Sequence, residues 1–257
     1  MYSYSLNFLL KSTNLFVPRI ENPIFIISAP RSGSSYFYEI ARRMEAVLSF
    51  STENSPMWFR FFPYSRQVEP SDYISGKECA PADIRGIKSF IAVKSILDKK
   101  QIYAQSALNL LLLKRPVEFY LEKTIANCFH IDAIEKIFPN ARYIHLVRDP
   151  RPNISSMMEA WKVYVKVGIE VPNHENASIA HWAYAMPPGW QSVVNRPLEE
   201  ICAWSWIEHN RYALNKAQQS SSFRHRYLRI SYEELLSQPQ QLLERVCHFT
   251  KLKPTTA

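Results

Sequence analysis

The chain predicts an α/β fold, a parallel five-stranded sheet with helices on both faces. Three observations carry that expectation. Ile24-Phe25-Ile26-Ile27 is an apolar, mostly β-branched run that reads as a strand buried on both faces. Further short apolar runs alternate with stretches of helical spacing, at separations that suit parallel crossovers. The first run ends in a small-residue turn, Ser28-Ala29-Pro30-Arg31-Ser32-Gly33-Ser34-Ser35, after which Tyr36, Ile40 and Met44 share one helical stripe.

At 257 residues, with 13% aromatic and 47% hydrophobic side chains, the chain suits one domain over residues 1–257 with a sizeable core. Five glycines against seventeen prolines argue against flexible linkers. The formal net charge of +8 favours anionic partners, yet the basic residues are spread along the chain. That pattern suits a pocket for a small, highly charged ligand and speaks against nucleic acid. Cys79, Cys128, Cys202 and Cys247 are too dispersed for zinc and read as buried small hydrophobes in a reducing compartment. No run approaches the roughly 20 apolar residues of a membrane span. Met1 to Ile20 has an apolar patch only at Phe8-Leu9-Leu10 and no charged leader. The expectation is a soluble, cytoplasmic protein of unassigned oligomeric state.

After the first strand and helix, Ala46-Val47-Leu48-Ser49-Phe50 is expected as a second strand that delivers Ser51 to Pro56 to a loop, with Pro56 stopping any continuation. Trp58, Phe59, Phe61, Phe62 and Tyr64 follow, either as the core of a cap or as a wall for an acceptor. Residues 69–86 read as loop with a short helix. Ile87, Phe90, Ile91, Ile96 and Leu97 set helical spacing for two helices over 87–113. Val117-Glu118-Phe119-Tyr120-Leu121 alternates behind Pro116 as a third strand. Ile131 to Phe138 is a short amphipathic helix closed by Pro139-Asn140, and Arg142 to Val147 is a fourth strand followed by helix from about Asn153 to Val167. Residues 168–196 are loop-rich and, with 54–86, are the expected cap or substrate loops. Pro197 opens a long helix to about Gln219. Tyr227-Leu228-Arg229-Ile230 is the fifth strand and 239–250 the last helix.

In an open parallel sheet, ligands bind beyond the carboxyl ends of the strands. Those positions hold Pro30 to Ser35, Glu53, Lys123, Arg148 and Ser231-Tyr232. Two arginines, a lysine, a carboxylate and several hydroxyls suit a doubly phosphorylated nucleotide better than a packed core. The turn at 30–35 is P-loop-like: unpaired N–H groups of a helix start face any anion seated there, and Arg31 adds a charged fork. Laid on G-x-x-x-x-G-K-[ST], however, it has Ser28 at the first glycine and Ser34 at the lysine. Without that lysine a variant P-loop kinase is the weaker alternative.

Pro30-Arg31-Ser32-Gly33-Ser34-Ser35 resembles the 5′-phosphosulfate loop of sulfotransferases that use 3′-phosphoadenosine 5′-phosphosulfate (PAPS). Arg148-Asp149-Pro150-Arg151-Pro152-Asn153-Ile154-Ser155-Ser156 resembles their 3′-phosphate motif, an arginine at a strand end with a serine eight places on. Leu121-Glu122-Lys123-Thr124, Phe138 to Arg142, and Ser231-Tyr232-Glu233-Glu234-Leu235 with Pro239 extend the likeness over residues 24–250, closest to the bacterial and tyrosylprotein branches. The resemblance implies PAPS as donor, PAP as product and no metal. It assigns the nucleotide to Arg31, Ser32, Gly33, Ser34, Ser35, Arg148, Ser156 and Tyr232, with Lys123 and Arg31 stabilising charge on the transferring group.

In the cytosolic branch a catalytic histidine follows the Lys-Thr pair; here Ile125 stands there. The tyrosylprotein branch uses a glutamate about twenty residues after the anion loop, and Glu53 matches it. His130 and His145 are the fallback bases. Two departures stand out. Pro152 replaces an acidic residue often found after the Arg-Asp-Pro-Arg run, and the chain stops at Ala257. The family's basic, glycine-containing C-terminal cover, with its lysine-partnering serine, is therefore expected to be missing or replaced. Asn153-Ile154-Ser155 also spells a glycosylation acceptor, discounted without a secretion signal. The expected activity is in-line sulfuryl transfer to a hydroxyl or amine of a small-molecule acceptor, ring-bearing or lipid-like, with peptide tyrosine left open. The alternative is a PAP- or PAPS-binding module without activity.

Overall fold

A computed structural model describes residues 19–51, 53–64, 70–97, 117–164, 168–170 and 179–254. Five strands form one parallel sheet: β1 (Ile20–Ser28), β2 (Val47–Leu48), β3 (Val117–Lys123), β4 (Arg142–Val147) and β7 (Tyr227–Ser231), in the order β2-β3-β1-β4-β7. β1 is central. The chain leaves it for β2 at one edge, returns in β3, and then crosses to β4 on the other side. That reversal opens a crevice at the carboxyl end of β1, where ligands settle in such sheets. The register aligns the ends that matter: Ile26 opposes Lys123, Ser28 opposes Leu146, and Val147 opposes Ser231.

Side-chain alternation along β1 feeds two cores. Phe25 and Ile27 pack with Tyr120 and Tyr143 beneath α2 (Ser55–Phe61), α3 (Pro81–Leu97), α4 (Ile131–Ile137) and α6 (Leu198–Gln219). Ile24 and Ile26 pack on the other face with Phe37 of α1 (Ser34–Ala41), Leu235 of α8 (Tyr232–Ser237) and Leu242 and Val246 of α9 (Pro239–Thr250). Full burial of each such side chain contributes about 1.5–3 kcal/mol, so this four-residue run anchors both layers. A third cluster joins Trp161 of α5 (Pro150–Tyr164) to Trp182, Trp190 and Ile201. Trp182 belongs to an antiparallel ribbon of β5 (Ile169–Glu170) and β6 (His181–Trp182), and the short α7 (Ser221–Arg224) lies between α6 and β7 in the chain. No helix among the described residues is long and apolar enough to cross a membrane.

The sheet and its two helical layers match the expected class, while several boundaries differ. β2 shrinks from 46–50 to Val47–Leu48: Ala46 takes a left-handed φ of 59°, and the Phe50 backbone bonds the Tyr38 hydroxyl through both its N–H and its carbonyl. Pro56 does not stop regular structure but sits in the first turn of α2, where its missing N–H has no helical partner to lose. Residues 69–86 contain a 3₁₀ turn (Gly76–Glu78) and the start of α3, which runs as one helix to Leu97; the second helix expected before 113 lies outside the described residues. α5 begins three residues before Asn153, since the Asp149 carboxylate accepts from the Arg151 N–H (2.9 Å). Its expected end at Val167 also lies outside the described residues.

Candidate functional site

β1 ends at Ser28, and the chain turns through left-handed backbone at Arg31 (φ 63°) and Gly33 (φ 88°) before α1 starts at Ser34. A non-glycine residue held there costs on the order of 1 kcal/mol or more, so something must fix Arg31. Its carbonyl accepts from Arg148 Nη1 at 3.0 Å, and its own Nε donates to Ser156 Oγ at 3.1 Å. The two motifs, 117 and 125 residues apart at these contacts, therefore touch directly. Arg148 leaves the end of β4, and Tyr232 leaves the end of β7 as the first residue of α8. The Arg148 guanidinium lies 4.7 Å from the Tyr232 ring centroid. The same ring lies against Gly33, where an added Cβ would come within 2.4 Å of Tyr232 Cδ2. Glycine is required there twice over, by its φ and by this contact.

Ser34, Ser35 and Gly33 line the resulting cavity, but the Ser32 side chain does not. Ser32 is buried, its Oγ 2.9 Å from the Asn153 amide. With the amide nitrogen on the Pro30 carbonyl (3.0 Å), the amide oxygen accepts from both Ser32 N–H and Ser32 Oγ. Asn153 thus staples the turn from the first turns of α5, and its full burial removes it as a glycosylation acceptor. The sequence offers one signal for this role, the i,i+3 spacing of Asn153 and Ser156, which places both on one helix face. The glycosylation pattern alone does not reveal it.

On the other side of β1, Lys123 at the end of β3 meets Glu53, Nζ to Oε1 at 2.5 Å. Beneath them Glu122 is buried and accepts from Thr124 Oγ1 and Asn127 Nδ2; burial pushes its carboxyl above the usual range. Thr124 Oγ1 in turn accepts from the Asn54 N–H at 2.9 Å, so the residue next to Glu53 is tied to the end of β3. Asn54 carries no warning in the sequence, because its partners Tyr120 and Thr124 lie 66 and 70 residues further along the chain; Glu122, Thr124 and Asn127 are near neighbours in sequence.

One cavity of about 670 Å³ collects Arg31, Gly33, Ser34, Ser35, Glu53, Lys123, Arg148, Ser156 and Tyr232. Phe59, Tyr64, Asp72, Tyr164, Trp182 and Tyr184 line the same space. The aromatic run at 58–64 therefore divides: Trp58 and Phe62 enter the core, whereas Phe59 and Tyr64 face the cavity. Trp190 does not line it and packs into the third core cluster, its indole donating to the Pro70 carbonyl.

The fallback histidines are structural. His130 is buried against Trp58, ring centroids 4.4 Å apart, and burial lowers its pKa to about 3. His145 sits inside β4 between the Tyr227 hydroxyl (2.6 Å) and Asn210 (2.9 Å), and burial lowers it to about 4. Neither lines the cavity.

Two cationic forks at adjoining strand ends, a glycine with no room for a Cβ, and a buried Arg148 Nε without a hydrogen-bond partner among the described residues suit an anionic ligand with two phosphate-like ends. Among the described residues no cluster of three or more His, Cys, Asp or Glu side chains is placed to hold a metal ion. A parallel sheet whose central strand opens into such a turn defines an α/β protein of P-loop-like class. The chain belongs to the sulfotransferase family, whose model matches residues 23–256, and sulfuryl transfer is the chemistry of that family.

Solved structures agree on the fold. The sulfotransferase STF9 from Mycobacterium avium is similar at 15% identity and a TM-score of 0.52, covering 100% of this chain and 69% of that one. The sulfotransferase domain from the curacin biosynthetic pathway matches at 20% identity and a TM-score of 0.50, over 93% of this chain and 76% of that one. The sulfotransferase domain of the Synechococcus PCC 7002 olefin synthase matches at 15% identity and a TM-score of 0.50, with the same coverage. No curated protein sequence matches this chain.

Proposed function

We propose that this protein transfers the sulfuryl group of PAPS to a hydroxyl or amine of a small-molecule acceptor, with Glu53 as general base. The observation that carries the reading is the direct contact of the two strand-end motifs, Arg148 Nη1 on the Arg31 carbonyl, above one cavity that also holds Glu53 and Lys123. PAPS, when bound, supplies a sulfuryl group on a phosphate leaving group; sulfur gains a bond to the acceptor atom as its bond to the 5′-phosphate oxygen breaks, releasing PAP. The 30–35 turn and Arg31 would hold the 5′ end, and Arg148, Ser156 and Tyr232 the 3′-phosphate and its neighbourhood. Glu53 takes the acceptor's proton, a contribution of roughly 10²–10⁴-fold. Lys123, only slightly exposed, faces the charge that develops on the leaving oxygen. Its ion pair with Glu53 holds that carboxylate in place before an acceptor arrives. The aromatic lining suits a ring-bearing or lipid-like acceptor.

Calorimetric titration with PAP, followed by [³⁵S]PAPS transfer to a broad acceptor panel, tests the reading. Saturable binding and acceptor labelling are the expected results. Absence of PAP binding would defeat the nucleotide assignment, and binding without transfer to any acceptor would return the protein to the inactive-binder alternative.

A further inference from the structure

Outside the two phosphate motifs, the cavity lining forms a connected wall. The Phe59 and Tyr64 rings meet edge to face at 5.0 Å, and Tyr164 and Tyr184 do the same at 6.0 Å. Asp72 bridges these two aromatic pairs. One carboxylate oxygen accepts from the Tyr64 hydroxyl at 2.9 Å, the other from the Met186 N–H at 2.5 Å, two residues beyond Tyr184. Asp72 also lines the cavity while only 6% exposed.

Both of those donors are neutral, and among the described residues no cation pairs with Asp72. The other lining carboxylate differs: Glu53 has Lys123 at 2.5 Å. Of the remaining lining cations, Arg148 donates to the Arg31 carbonyl and the Arg31 guanidinium to Ser156 Oγ, both at the strand ends. Burial pushes the Asp72 carboxyl up to about 6, which leaves it ionised at neutral pH. A buried charge without a counter-ion is costly, and aromatic ring faces attract a cation besides. The wall is built for positive charge.

We infer that the acceptor is an amine-bearing alcohol or phenol, its protonated nitrogen paired with Asp72 and its body held between the Phe59–Tyr64 and Tyr164–Tyr184 rings. This rests on the sulfuryl-transfer reading, in which the accepting hydroxyl lies at Glu53. It adds a requirement for charge that neutral ring or lipid acceptors do not meet.

Two matched series test it by calorimetry on the full chain, with and without PAP. One is tyramine, 4-ethylphenol and 3-(4-hydroxyphenyl)propionate; the other is 6-aminohexanol, hexanol and 6-hydroxyhexanoate. The ammonium member of at least one series should bind tenfold or more tightly than its neutral partner, and Asp72→Asn should erase that gap while PAP affinity stays unchanged. If Asp72→Asn fails to fold, Phe59→Leu, at a ring 39% exposed, should narrow the same gap. No ammonium preference in either series, including no binding at all, overturns the inference, as does a gap that survives in the folded variants. Failure of PAP to bind defeats the nucleotide reading instead, and is distinguished because the series is also titrated without it.

Discussion

The strand-end half of the cavity comes from two short peptides, Pro30–Ser35 and Arg148–Ser156, with Tyr232 packed on both, whereas the aromatic half draws Phe59, Tyr64, Asp72, Tyr164 and Tyr184 singly from the chain. Each peptide of the first half is shaped locally, by left-handed backbone at Arg31 and Gly33 and by Asn153 and Ser156 on one helix face, before the Arg148–Arg31 and Arg31–Ser156 bonds join the two across 117 and 125 residues. The second half has no such preshaped peptide: its side chains meet singly, through the Tyr64–Asp72 bond and Met186 N–H to Asp72 across 114 residues. A phosphate-shaped ligand needs a short, rigid turn at fixed spacing, so its site can be written in a few adjacent residues. The aromatic half instead combines helix positions, Phe59 in α2 and Tyr164 in α5, with loop positions at Tyr64, Asp72 and Tyr184.

If the halves do separate jobs, they should fail separately. The largest effect is expected from Glu53→Gln, which removes the proton acceptor but keeps the shape: transfer should fall roughly 10²–10⁴-fold, with PAP affinity within about twofold of wild type. Single-turnover rates and calorimetry read the two quantities apart, and a parallel loss of PAP binding would show that the halves are not separable at that residue.

Next is acid, which acts on the supports of both halves. His130 under the aromatic half and His145 under the strand ends are buried neutral, with pKa values lowered to about 3 and about 4 from 6.5. A depressed histidine pKa means the folded state resists protonation while the unfolded chain takes up the proton. Stability is therefore full above about pH 6.5 and declines as pH falls toward 4, with a slope of up to about 1.4 kcal/mol per pH unit for each histidine. Urea melts of wild type and His145→Gln should converge as pH drops from 7 to 4; parallel curves would mean His145 does not titrate as its burial requires.

The smallest effect belongs to the strand-end half alone. Gly33→Ala meets the Tyr232 ring and a φ of 88°, so PAP affinity should fall about tenfold, or ~1.4 kcal/mol, with amine binding at the aromatic half untouched. Loss of both ligands together would join the halves again.

Much of the strand-end half is legible in the sequence because its parts directly follow strands. Arg31, Ser34, Ser35, Arg148, Tyr232, Lys123 and Glu53 line one cavity at the strand ends, and Ser156, named in the sequence only through the motif likeness, joins them from α5. Ser32 departs from that reasoning in one respect, since its hydroxyl turns inward to Asn153. The helix at Ser55–Phe61 escapes a reading that treats proline only as a breaker, because the first helical turn tolerates it.

The amino-acid sequence by itself determined the five-stranded α/β class, the anion turn and its arginine–serine partner motif, because strand burial, turn chemistry and helix starts depend on residues close together in the chain. Only the tertiary structure decided that Asp72 bridges two aromatic pairs, that Trp190 belongs to the core and Phe59 to the cavity, and that Glu53 rests on Lys123. Those outcomes depend on which loops meet across the sheet, and no local periodicity encodes the meeting of residues some 70 to 114 positions apart.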